Sequence, residues 1–420
     1  MQSKSFSKDF TLVVIGQIIS LFGNAAIRFA LPLYLLNQTG SPALYGTVTA
    51  LAFLPAILLS PIGGILADRV NKRTIMVALD FFTAAVLLAF SLLLGRLDLT
   101  FLLTVTLMLL YGIAGAYQPS VQASVPALVS PDRLMTANAA INMVSSLASL
   151  LGPVLGGILY SAYGLTPVLW VCIACFFLSA VMEIFIHIPF VKQSAGGNLW
   201  NTVRTDFSDS IRFLRHEKPV IGKGLLVICG MNLFLSAMIL VGLPYMVTEV
   251  LPLETTQANR LYGFAQGALA AGGLAGGVCA GIFAEKLPIQ KAGNLLIACA
   301  ACVFPMGAAP LLFASGLVNY GVLTACCFAI MLCSTIFSIQ MMSFVQAETP
   351  QNFLGKVIAV ILTISMCAQP LGNAFYGVLF EVCKGFESAV ILFAGVVSLA
   401  LAICTTHIFQ QLEAHTMTNL

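Results

Sequence analysis

Apolar residues in this chain come in long unbroken runs, not in the one-sided periodic faces of soluble helices. Twelve runs stand out, at 10–36, 43–67, 74–95, 100–127, 134–161, 165–188, 220–249, 259–284, 289–314, 317–346, 353–381 and 387–409. A helix rises 1.5 Å per residue and a bilayer's hydrocarbon core is about 30 Å thick, so roughly 20 apolar residues span it. Each run is long enough. Most connections are short and polar, but one, 190–218, is long and basic, and it divides six runs from six. The pattern predicts an all-α membrane protein of twelve transmembrane helices in two six-helix bundles, residues 1–189 and 219–420, joined by the linker 190–218.

Composition removes the soluble alternatives. Of 420 residues, 59% are hydrophobic and 8% charged, with mean hydropathy +0.99, whereas soluble domains carry about 25% charged residues. The lipid bilayer is therefore the main partner, and a nucleic-acid partner is not expected. The twelve cysteines lie in or at the edges of the apolar runs. Cys172/Cys175 and Cys299/Cys302 have the spacing of a metal or redox pair, but no His or Asp flanks them. They read as small apolar residues, so no metal and no cofactor is expected. Nor is an enzyme: the chain has four His, and the spans hold no Ser-His or Glu-His constellation. The first run is too long for a signal peptide and lacks a cleavage site.

Charge sets the orientation. With a cytoplasmic N-terminus, the inner segments hold fifteen Lys and Arg, and the outer segments only Arg96, Arg260 and Lys384. That bias predicts both termini inside a cell (inner or plasma) membrane. In the linker, Leu199, Val203, Phe207, Ile211 and Leu214 recur on one helical face, with Arg204, Arg212 and Arg215 on others. It reads as an amphipathic helix on the cytoplasmic surface, either a tether or a regulatory latch.

The halves repeat. LYG at Leu44–Gly46 recurs at Leu261–Gly263, and GILADR at Gly64–Arg69 recurs at the same offset of 217 as GIFAEK at Gly281–Lys286. Parallel repeats of six spans are the layout of a two-bundle secondary transporter, with substrate bound at the repeat interface near mid-membrane.

The loop after the second span reads GILADRVNKR, Gly64–Arg73. Gly64 lets helices approach closely. Asp68 suits the positive end of a neighbouring helix, and Arg69, Lys72 and Arg73 can pair with carboxylates. Such a cluster, with its fainter repeat at Glu285 and Lys286, suits a conformational latch. The plainer alternative is a positive-inside anchor. The loop resembles the signature of the major facilitator superfamily, with Asn71 where that family usually has glycine. ASLLGPVLGG, Ala148–Gly157, resembles the glycine-proline motif of the superfamily's antiporters; Gly152, Pro153, Gly156 and Gly157 make that span thin and bent. TGS at Thr39–Ser41, FLP at Phe53–Pro55, MVALD ending at Asp80 and LGKV at Leu354–Val357 resemble the branch of macrolide-efflux proteins and enterobactin exporters. The resemblance covers essentially the whole chain. It implies the major facilitator fold, with spans 1, 4, 7 and 10 lining a cavity. Candidate substrate contacts are then Asn24, Arg28, Tyr111, Tyr117, Gln118, Met231, Asn232 and Gln340.

Buried charges are few. The branch's efflux members are commonly proton-coupled, and Asp80, about 9 Å into span 3, is the candidate proton site. Equally, it can be a structural partner of the basic loop. Glu183 and Glu249 lie near helix ends, and Asn24 stands where span 1 often has Asp. Arg28 sits about 7 Å outward of the centre of span 1, with its side chain leaning back toward mid-membrane. Unpaired there it costs roughly 3 kcal/mol or more. It therefore faces a wet cavity or substrate, or it bonds hydroxyls and carbonyls as a structural residue.

The expectation is a monomeric bacterial inner-membrane exporter of a small amphipathic or anionic organic molecule, working by alternating access, with proton antiport as the candidate drive. The alternatives are a siderophore, lipid or metabolite transporter, an importer, or a non-transporting sensor.

Overall fold

In hydrocarbon a backbone N–H or C=O finds no partner outside the chain, so each lipid-solvated run closes its hydrogen bonds within a helix. The computed structural model describes residues 7–130, 133–188, 208–282 and 292–417, with side chains outside 60–69, 135, 351–353, 355, 359 and 408–417. Among the described residues, twelve helices are long and apolar enough to cross a membrane. They are α1 (Lys8–Thr39), α2 (Pro42–Arg69), α3 (Lys72–Leu93), α4 (Leu99–Leu128), α5 (Leu134–Tyr163), α6 (Leu165–Ile184), α7 (Pro219–Val250), α8 (Thr255–Ile282), α9 (Ala292–Leu312), α10 (Gly316–Glu348), α11 (Gln351–Val382) and α12 (Glu387–Met417). Each falls on one of the apolar runs. Their outward faces carry large apolar side chains such as Leu58, Phe101, Leu226 and Leu371, as lipid solvation requires.

Local chemistry ends the helices. Ser7 caps α1, its Oγ accepting from Phe10 N–H at 3.2 Å. Gly40, at φ 58°, closes α1 in the left-handed region that glycine tolerates best. Asn71 caps α3 by accepting from Arg73 N–H at 3.0 Å, so the residue that departs from the loop signature has a use. The helix of span 6 stops at Ile184, earlier than the apolar run suggested, and the next turn folds Ile186 and Ile188 back into the interior. In α7 two wide π-helical turns, Asn232–Ser236 and Met246–Val250, flank Pro244, which has no N–H to give.

Two compact units result. One takes in α1–α6 and the start of α8, Glu254–Gly267; the other takes in α7, α8 from Ala268, and α9–α12. They are built alike inside. In the first, α1 packs on α5 and α6, α3 on α4 and α6, and α2 on α4. In the second, α7 packs on α11 and α12, and α9 on α10 and α12. Glycines bring α8 against α10: a Cβ at Gly276 would stand 2.5 Å from Leu332 O. The sequence repeat is thus a repeat of packing.

The start of α8 joins the first unit because glycines remove the bulk between helices. A Cβ on Gly157 would lie 3.0 Å from Gly263 Cα, and one on Gly263 would lie 2.7 Å from Pro153 O. Nearby, Asn37 donates to Tyr160 Oη at 3.1 Å and to Asn259 Oδ1 at 2.9 Å, tying α1, α5 and α8. On its other flank α5 meets α1, where a methyl group at Gly152 would collide with Ala25. The glycine-proline motif therefore gives close approach on both sides.

Of the linker, 190–207 lie outside the described residues. Residues 208–217 are helical, ending in a π turn at Phe213–Glu217. Phe213 and Leu214 are buried, while Arg212 and Arg215 are exposed. Glu285 and Lys286 of the candidate latch lie outside the described residues. So do the side chains of Asp68 and Arg69 at the end of α2, which also carries Gly64. Lys72 and Arg73 open α3, half-buried.

Candidate functional site

Two polar clusters interrupt the apolar interior of the first unit, both anchored on α1. Ser20 belongs to one and Arg28 to the other. Eight residues apart, they lie about 12 Å from each other along the helix.

The first forms around Arg28. Its guanidinium carbon lies 3.6 Å from the centroid of the Tyr111 ring on α4. Phe53 of α2 meets the same ring edge-on at 4.9 Å. Beside them Phe29 stacks on Tyr262 at 4.9 Å and 23°, and Gln266 Nε2 donates to Tyr262 Oη at 3.0 Å. Arg28 Nε is buried with no hydrogen-bond partner, and among the described residues no carboxylate pairs with the side chain. The face of a guanidinium is satisfied by a ring's negative quadrupole, but its N–H edge still needs acceptors. The arrangement is a half-coordinated cation in an aromatic setting. It can receive a carboxylate, a phosphate or a carbonyl oxygen. Arg28 and Tyr111 were both expected to matter; that one lies upon the other was not legible.

The second cluster lies nearer the N-terminal end of α1. Tyr117 Oη of α4 donates to Glu183 Oε1 of α6 at 2.7 Å and accepts from Gln17 Nε2 of α1 at 2.6 Å. Ser20 Oγ donates to Asp80 Oδ1 of α3 at 3.0 Å. Ser179 Oγ of α6 donates to Gly16 O at 3.1 Å. Gln17, Ser20, Asp80, Tyr117, Ser179 and Glu183 are all at most 5% exposed. Three acceptor oxygens in the cluster have no donor: Gln17 Oε1, Asp80 Oδ2 and Glu183 Oε2.

This corrects one expectation and adds to two others. Tyr117 does not stand with Arg28 on a cavity wall; it is buried against α1 and α6, because its hydroxyl finds partners only there. Asp80 accepts from Ser20 of α1 with Ser179 of α6 beside it, and among the described residues no ion pair joins it to the basic loop. Glu183, read as a helix-end residue, is the penultimate residue of α6 and is fully buried. Its signal in the sequence was an acid inside an apolar run, and nothing there showed that Tyr117 faces it.

The remaining candidates are placed apart. Asn24 and Gln118 are half-buried in the first unit. Asn232 lies in the second, where its Nδ2 donates to Ser365 O of α11 at 3.1 Å beside buried Met231. Gln340 is half-buried on α10.

Twelve helices of membrane-crossing length, packed alike inside two units, fit a membrane transporter. The chain belongs to the Major Facilitator Superfamily, whose model matches residues 13–373. It is 23% identical over 372 residues to macrolide efflux protein A of Streptococcus pyogenes, covering 86% of this chain and 87% of that protein. It is 21% identical over 409 residues to the multidrug efflux pump Tap of Mycobacterium bovis, covering 94% and 91%. To the lysophospholipid transporter LplT of Photorhabdus laumondii it is 30% identical over 220 residues, 50% of this chain and 51% of that one. Among solved structures, the nucleoside transporter NupG shares its fold with a TM-score of 0.75 at 12% identity, over 96% of this chain and 99% of that one.

Proposed function

We propose that this protein exports a small amphipathic organic molecule bearing an acidic or carbonyl-rich group. The export would proceed by alternating access, with a proton moving the other way. The observation that carries the reading is the Arg28–Tyr111 pair: a guanidinium carbon 3.6 Å over an aromatic ring, with Nε buried and unpartnered. An apolar wall with one directional cation selects a molecule that is mostly apolar with one polar end. The efflux proteins among its relatives support the export direction. The excess of Lys and Arg on one side supports cytoplasmic termini. Lys72 and Arg73, with Asp68, Arg69, Glu285 and Lys286, are proposed as the latch that distinguishes the two states.

The test is expression in a pump-deficient strain challenged with a panel of macrolides, dyes and acidic antibiotics. Everted vesicles then give direction. Lower accumulation of at least one compound, lost with Arg28→Gln, supports the reading. No change across the panel, and no uptake into everted vesicles, sinks it.

A second reading, a lipid-like substrate, is favoured by an apolar crevice of about 290 Å³ in the first unit. Phe22 and Ala26 of α1, Leu155 and Leu159 of α5, and Val168 and Val171 of α6 line it. An acyl chain fits such walls. The similarity to a lysophospholipid transporter over half the chain agrees with it. Flux of a fluorescent lysophospholipid between vesicle leaflets separates the two readings.

A further inference from the structure

We propose that Asp80 and Glu183 form one buried site for an exchangeable proton, built by α1, α3, α4 and α6 within the first unit. Its role as the coupling site rests on the export reading above; its occupancy by a proton does not.

The argument starts from unmatched oxygens. Asp80 Oδ2, Glu183 Oε2 and Gln17 Oε1 are buried acceptors without donors. Native interiors rarely leave such groups unmet. Both carboxylates lie within electrostatic reach of Tyr117 and of each other. The donors at hand are neutral: Tyr117 to Glu183, Ser20 to Asp80, Gln17 to Tyr117, with the Ser179 hydroxyl also beside Asp80. Among the described residues, no ion pair reaches either acid. Two negative charges held together in an apolar interior without a cation are not sustainable. A proton on a carboxyl oxygen supplies the missing donor and removes a charge at once. The neutral pair holds two protons. Releasing one to water leaves a carboxyl hydrogen-bonded beside a carboxylate, and rebinding reforms the O–H bond.

The surroundings isolate the pair. Toward the N-terminal end of α1, Tyr117 merges into an apolar plug that includes Phe10, Val13, Met76, Val121 and Ile186. Asp9 and His187 also lie toward that end; Asp9 Oδ1 accepts from His187 N–H at 2.9 Å. One turn further along α1, Cys175 of α6 sits against Gly23. No other acid or base faces the pair from these four helices among the described residues. The fold itself does not require it. By the offset of 217 that relates Gly64 to Gly281, Asp80 corresponds to Ile297. The α9–α12 packing of the second unit is made without an acid between Ala389 and His407. One half of a repeated architecture carries a costly device that the other half omits.

The test uses infrared difference spectra of the purified full chain between neutral and alkaline buffer, where exposed carboxylates stay ionised. A protonated-acid carbonyl band should be present at neutral pH and fall on alkalinisation. Part of it should shift in wild-type protein labelled with carbon-13 at glutamate carboxyls. Glu183→Gln and Asp80→Asn keep the shape and the acceptor atoms, and the double variant should lose the pH-dependent band completely. A band that is missing in wild type, or insensitive to the glutamate label, overturns the proposal. So does a band displaced by sodium or potassium at constant pH, which would make this a metal-cation site. The labelled wild type decides even if a variant fails to fold. Because no substrate enters the measurement, a failed export assay leaves this result standing, and the reverse holds too.

Discussion

Arg28 lies on the ring of Tyr111, 3.6 Å from guanidinium carbon to ring centroid, with no acid partner among the described residues. A half-buried pair of this kind contributes about 1–2 kcal/mol. Tyr111→Leu should therefore lower thermal stability in detergent by about that amount and weaken substrate binding as well. Arg28→Gln should fold yet lose transport by at least about tenfold, one contact worth about 1.4 kcal/mol. Arg28→Lys should recover only part, since an ammonium cannot lie flat on a ring while offering a planar edge. Initial rates and melting curves on the same preparations check this. Full activity with lowered stability in all three variants would make Arg28 purely structural.

Tyr117 serves two partners with one hydroxyl, donating to Glu183 and accepting from Gln17. Tyr117→Phe should destabilise the protein by about 1–3 kcal/mol, because both partners stay buried and unmet. Glu183→Gln keeps an acceptor for the phenol and should cost much less. Unfolding midpoints of the two variants give the comparison. Equal loss in both would show that the hydroxyl is not what holds the cluster.

Gly263 and Gly277 lie on the same helix in different surroundings. A Cβ on Gly263 would stand 2.7 Å from Pro153 O, whereas nothing lies within 4 Å of one on Gly277. Gly263→Ala should cost about 1–3 kcal/mol through overpacking against α5. Gly277→Ala should be neutral or stabilising by up to about 1 kcal/mol. Melting temperatures of both variants check the order, and a reversed order would refute the close approach of α5 and α8.

Lys218 and Glu348 form an ion pair at 2.5 Å, but their side chains are 39% and 41% exposed. Glu348→Gln should change stability by less than about 1 kcal/mol, with the difference shrinking in high salt. Chemical or thermal unfolding at two ionic strengths measures it. A larger, salt-independent loss would mean that the pair is shielded from solvent.

Much of the architecture could be read directly from the chain. Hydrocarbon leaves the backbone no option but helix, so long apolar runs translate into spans with edges good to a few residues. The glycines of α5 were legible too, because a missing side chain has one main consequence in a membrane helix. The site was only partly legible. Arg28, Tyr111, Asp80 and Tyr117 were recognisable as polar groups in apolar runs. Glu183 was passed over because position along a helix says nothing about which way a side chain turns.

The sequence by itself determined the number of spans, their repeat in two halves and the places where charge enters the interior, since these follow from transfer free energies that act residue by residue. Only the tertiary structure decided the partners. Arg28 met an aromatic ring, Tyr117 turned to Glu183, and the start of α8 joined α5. Each outcome depends on helix rotation and close approach between segments up to about two hundred residues apart, which are set by packing of whole helices.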